Sequence, residues 1–154
     1  MDRAGAVNGG PLTLWFALLG CAVRRVGLLD ATDGVALVSP EGGREPLTLV
    51  GEGPGRLRSL GAHLVEVTGR RAGRRVTVVS FRVLEGPSGF PVWFGPVQAL
   101  GSQVALADPG SGNVLLVDRG AAEELRAYVG QWVAVEGYVE GPQQLRVLSF
   151  TVVE

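Results

Sequence analysis

Lysine is missing from this chain, and all 14 basic residues are arginine. With 24 Gly and abundant Ala and Val, that absence reads as a coding bias toward GC-rich codons, which weakens any argument from arginine counts alone. The one cysteine, Cys21, excludes an internal disulfide framework and a cysteine-based zinc site. The one histidine, His63, leaves little for metal or acid–base chemistry. No apolar run reaches the roughly 18 residues that a membrane-spanning helix needs. A Gly-rich phosphate loop, a nucleophile motif and a metal-ligand spacing are absent as well. The sequence therefore predicts no enzyme, no catalytic residue, no metal site and no cofactor.

What the chain does have is an internal repeat. Val76–Glu85 lines up with Leu145–Glu154 at five identical positions of ten. Upstream, Val35-Ala36-Leu37-x-x-Pro40 matches Val104-Ala105-Leu106-x-x-Pro109, and Val23-x-x-Val26-Gly27 matches Val97-x-x-Leu100-Gly101. A repeat means one supersecondary plan used twice. The length of 154 residues suits two small domains, expected at 1–85 and 90–154 with a turn-rich linker at 86–89.

The second half gives the plan most cleanly. Strands are expected over 92–100, 103–108, 113–118, 131–138 and 144–153, where apolar runs are bounded by turn residues. Asp118 is placed to cap a short helix through 121–129 that Gly130 ends, with Leu125, Tyr128 and Val129 on one face. The first half repeats this with a strand through Val23–Val26, a hairpin from Val35 to Val50, and a helix near Arg56–Leu60. Gly61 stands there for Gly130, and strands follow over His63–Thr68 and Arg75–Leu84. Phe81 and Phe150 are expected to plug the two cores, Gly69 and Gly137 to permit a bend, and Trp132 to pack against the first half.

Gly130-Gln131-Trp132-Val133-Ala134-Val135-Glu136-Gly137, followed by Leu145–Val153, resembles the closing strands of bacterial OB-fold modules. These include modules that bind single-stranded nucleic acid and tRNA. The resemblance implies an all-β protein of two tandem five-stranded OB-like barrels, each with a short helix between strands three and four. The matching residues are core and turn positions, so it implies fold and leaves function open.

The segment richest in candidate chemistry is Gly69-Arg70-Arg71-Ala72-Gly73-Arg74-Arg75. It falls on the loop between strands four and five, one of two loops with which OB-folds clasp oligonucleotides. Guanidinium groups bind phosphate and stack on bases. Arg70, Arg71, Arg74 and Arg75 are therefore the candidate ligand-binding residues, and Arg24 and Arg25 of the first strand extend the patch. A solvated hairpin tip explains the same residues equally well. Aromatic residues for base stacking are few in the first half, which holds only Trp15, Phe16 and Phe81.

Charge is divided: residues 1–86 hold 11 Arg against 8 acids, and residues 87–154 hold 3 Arg against 7 acids. His63 aligns with Gln131 and reads as a polar strand end. Cys21 is expected to be buried, and Ser80 and Ser149 to lack a neighbouring base.

The reading is a non-catalytic binding module for single-stranded nucleic acid. The alternative is a protein-interaction or envelope-anchored structural module whose partner is another protein. Leu18-Leu19-Gly20-Cys21 has the form of a lipoprotein signal. Its positive flank is weak, and the apolar Phe90–Gly95 leads into the second half in the same way. Residues 11–20 are thus expected to be retained as part of the first strand in a cytoplasmic protein. Lipid anchoring at Cys21 is the alternative.

Overall fold

The computed structural model describes residues 20–109 and 111–154. Short runs of alternating Val and Leu, punctuated by Gly, Pro and Asp, fold as strands because each has an apolar face to bury. In the first half these are β1 (Cys21–Asp30), β2 (Ala36–Val38), β3 (Leu47–Val50), β4 (Leu64–Ala72) and β5 (Arg75–Glu85). Helix α1 (Pro54–Arg58) lies between β3 and β4. In the second half they are β6 (Val92–Leu100), β7 (Gln103–Ala107), β8 (Val114–Val117), β9 (Trp132–Glu140) and β10 (Gln144–Val153). Helix α2 (Arg119–Leu125) and a 3-10 turn (Arg126–Tyr128) lie between β8 and β9.

Each set closes on itself, in the orders β1-β2-β3-β5-β4 and β6-β7-β8-β10-β9. The parallel pairs are β3 with β5 and β8 with β10. The protein is all-β: two successive OB-like barrels, each with a short helix between its third and fourth strands.

Local chemistry sets the helices. Asp118 Oδ1 accepts the N–H groups of Gly120 and Ala121 at 3.1 and 3.3 Å, capping α2, and Oδ2 accepts Val147 N–H from β10 at 2.8 Å. The cap therefore also ties the helix to the barrel wall. Leu57 and Leu60 are fully buried in the first barrel, and Leu125 and Leu145 in the second. Val129, expected on the packed face with Leu125, is exposed, because the helix gives way to a 3-10 turn before reaching it.

Phe81 and Phe150 are not buried plugs. Both are half-buried: Phe150 stacks edge-on against Tyr128 at 5.7 Å, and Phe81 meets Phe94 of the other barrel. The bend expected at Gly69 and Gly137 is made by a β-bulge in each barrel. A Cβ at Gly69 would run into the carbonyl oxygen of Thr77, and one at Gly137 into that of Arg146. The residues Val79 and Leu148 in the bulges are exposed to solvent.

Strand pairing corrects how the halves correspond. Gly27 pairs with Val65 in β4, and Gly95 pairs with Val133 in β9. Gly27 therefore matches Gly95, not Gly101, and the Val-x-x-Val-Gly match is coincidental. Phe90–Gly95 then corresponds to Ala22–Gly27, so it lends no support to a strand in residues 11–20. Residues 11–19, with the lipoprotein-like Leu18-Leu19, lie outside the described residues. Cys21 opens β1 and is exposed rather than buried.

The same comparison moves the turn before β4. Ala62 N–H donates to Leu29 C=O at 2.8 Å, and Gly130 N–H donates to Val97 C=O at 2.9 Å. Ala62, at φ 64°, thus occupies the left-handed position that Gly130 fills at φ 87°, and Gly61 does not. His63, the next residue, is buried; its Nδ1 donates to the Gly61 carbonyl at 3.2 Å.

The barrels share packing. Ala134 and Val153 of the second barrel are buried in the same cluster as Leu29, Leu57, Leu60 and Val65 of the first, with Phe94 and Trp132 packed against it. Trp132 meets Phe94 at 5.1 Å with planes tilted by 48° and carries the Arg56 guanidinium over its ring at 4.9 Å. The expectation that Trp132 packs against the first half holds. The connection from β5 to β6 is pinned by Glu136, which is buried. Its Oε1 accepts Ser88 N–H at 2.9 Å and Phe90 N–H at 3.1 Å, and its Oε2 accepts the Ser149 hydroxyl at 3.1 Å.

Candidate nucleic-acid interface

Side chains alternate between the faces of a strand, and cross-strand partners share a face. In β1 and β4 this rule sorts the six candidate arginines. Arg25 lies opposite Val67 and Arg71 opposite Cys21, on the face that carries Val23, Gly69 and the buried Val67. Arg24 lies opposite Thr68 and Arg70 opposite Ala22, on the other face. Arg75 pairs with Ala72 and so joins Arg70's side, while Arg74 sits in the turn between β4 and β5.

The inward-register arginines open onto a groove of about 510 Å³. Arg25, Arg71 and Arg74 line it, together with Arg44 from the loop between β2 and β3, over apolar Val26, Leu37, Val38 and Leu47. Arg24, Arg70 and Arg75 do not line it. Arg44 is the residue that sequence reasoning missed. Nothing near it in the chain marks it; it arrives because its loop folds toward the hairpin, where Glu45 binds Arg74 at 2.7 Å.

On the outer face Arg24 binds Glu66 at 2.8 Å and Arg82 approaches the same carboxylate at 3.7 Å, while among the described residues no carboxylate pairs with Arg70 or Arg75. In the groove, Arg74 has Glu45 as its partner, but both side chains are about two-thirds exposed, and such pairs contribute about 0–1 kcal/mol. Among the described residues no carboxylate pairs with Arg25, Arg44 or Arg71. Arg71 Nε donates to Gly73 C=O at 2.8 Å, which orients its guanidinium along the turn, and Arg25 Nη1 donates to Arg24 C=O at 3.1 Å. Among the described residues, none that lines the groove is aromatic.

Other ionisable groups have structural work. Asp30, at the end of β1, has its pKa held below the usual carboxylate value by the Thr32 hydroxyl and then by the Thr32 N–H. Ser149, read as lacking a base, does donate to Glu136, but the other oxygen of that carboxylate is occupied by two backbone N–H groups. A hollow of about 480 Å³ on the second barrel is lined by Asp118, Glu124, Arg146 and Ser149. Asp118 is already engaged there as the helix cap. Among the described residues, no group of three or more His, Cys, Asp or Glu is placed to hold a metal ion, and no helix is long and apolar enough to cross a membrane.

No protein-family model matches the chain, and comparison with curated proteins finds no match.

Proposed function

We propose that the protein is a non-catalytic binding module whose first barrel holds single-stranded nucleic acid in the arginine groove. The observation that carries this is the convergence of Arg25, Arg44, Arg71 and Arg74 on one groove, three of them without a carboxylate partner among the described residues. Guanidinium groups without a carboxylate partner keep N–H donors that can exchange water for phosphate oxygens, and an apolar floor suits the sugar edges between them. Anisotropy of a labelled oligo-dT of about 15 nucleotides, long enough to cover one OB barrel, tests it. Binding at low ionic strength that weakens steadily with added salt is the expected result. No binding at the lowest ionic strength sinks the reading.

A second reading, an envelope-anchored interaction module, draws on Cys21. Its thiol is exposed at the first residue of β1, opposite Arg71, where an acyl group would not disturb the core. Intact-mass measurement of protein from its native host separates the two. A lipid-modified chain beginning at Cys21 selects the anchored module; an unmodified Cys21 removes it.

A further inference from the structure

The two barrels place different side chains at equivalent points of the groove. Arg25 faces Val67 in the first barrel, and Trp93 faces Val135 in the second. Val67 and Val135 are both buried. Trp93 is half-buried and packs against the second core, so an indole covers the ground that Arg25 leaves open. Four residues further along β4 and β9, Arg71, opposite Val76, matches Val139, opposite Leu145. The turn that holds Arg74 becomes Gly141-Pro142-Gln143, with no basic residue. Three positively charged positions of the first barrel are thus uncharged in the second.

We infer that the chain has one strand-binding groove, on the first barrel alone, that Arg25 is the residue keeping it open, and that it reads phosphate rather than base. This rests on the nucleic-acid reading above. High-affinity single-strand sites commonly add aromatic platforms, since stacking contributes about 1–3 kcal/mol per base. Among the described residues the groove is lined by guanidinium groups, aliphatic side chains, Ser39 and Glu45, and by no ring. Its grip must therefore come from charge, which is the same for every base. The second barrel, its groove position filled by Trp93 and its β9 face packed on the first core, acts as a scaffold that holds the first.

The experiment compares oligo-dT, oligo-dA and oligo-dC of about 15 nucleotides at one low salt concentration, with wild-type protein and Arg25→Trp. The expected result is one strand per chain, affinities for the three within about threefold, and a loss of at least about tenfold in Arg25→Trp. Arg25→Gln, which keeps most of the volume and removes the charge, should give an intermediate loss and covers the case in which the tryptophan variant fails to fold. If the wild type binds none of the three strands, the nucleic-acid reading itself falls. If it binds but prefers one base by more than about tenfold, binds two strands, or binds undiminished in a folded Arg25 variant, that reading stands and this inference is overturned.

Discussion

Phe81 of the first barrel and Phe94 of the second stand with ring centroids 5.6 Å apart and planes tilted by 52°, so the barrels are joined through aromatic side chains as well as through their connecting segment. Phe94 also meets Trp132, with ring centroids 5.1 Å apart. Phe94→Ala removes both ring pairings and should cost about 2–4 kcal/mol, somewhat under a fully buried Phe because the ring is half-exposed. Urea unfolding followed by tryptophan fluorescence should show one transition for the wild type. A loss under about 0.5 kcal/mol would mean that the aromatic pairings are incidental to the joint.

Glu136 gives a sharper test, because its two oxygens have different work. Glu136→Ala strands the N–H groups of Ser88 and Phe90 and should destabilise by about 2–4 kcal/mol. Glu136→Gln keeps an oxygen for those two donors, while its amide can donate to a reoriented Ser149 hydroxyl, so its cost should be well under half as large. Equal losses in the two variants would refute the assignment of Glu136 as a hydrogen-bond acceptor for the connection.

Ala62 carries a left-handed backbone that its second-barrel counterpart, Gly130, adopts without a Cβ. The left-handed conformation costs a non-glycine residue roughly 1–2 kcal/mol, offset by about 0.4–1 kcal/mol from the freer unfolded state of glycine. Ala62→Gly should therefore stabilise by about 0.5 kcal/mol, and Gly130→Ala should destabilise by a similar amount, both read from shifts in the thermal midpoint. A destabilised Ala62→Gly would show that the Ala62 methyl has packing value that outweighs the strain.

The division of arginines between faces predicts unequal double variants. Arg71→Ser with Arg74→Ser removes two groove charges and should reduce the dependence of log affinity on log salt by about 0.7 for each phosphate no longer neutralised. Arg70→Ser with Arg75→Ser removes the same formal charge from outside the groove and should change the slope by less than half as much. Both should fold normally, since they change exposed residues. Indistinguishable slopes would show that the hairpin acts as a diffuse basic tip.

The sequence was most legible where turn chemistry and alternation agree. β6 and β10 begin and end where the apolar runs predict, and the Asp118 cap was visible because a capping residue announces itself within three positions. The first strand was misaligned because a short Val-x-x-Val-Gly pattern recurs by chance in a chain so rich in Val and Gly. Only strand pairing shows that Gly27 belongs with Gly95. The candidate site was half legible. The hairpin arginines could be picked out, but strand parity, which sends Arg71 into the groove and Arg70 away from it, depends on a register fixed by β1. Arg44 and Glu136 left no local signal, because their partners and neighbours come from distant parts of the chain.

Val153 lies in the core cluster of the first barrel, beside side chains translated far earlier. On the ribosome the first barrel can pair its own strands as they emerge, yet that part of its interior stays uncovered until β6 to β10 have followed. At about 5–20 residues per second the wait is several seconds. During that interval the nascent chain exposes an apolar surface that the finished molecule conceals, so the arrangement that unites the barrels also sets the stage of synthesis at which the chain is most prone to stick to its neighbours.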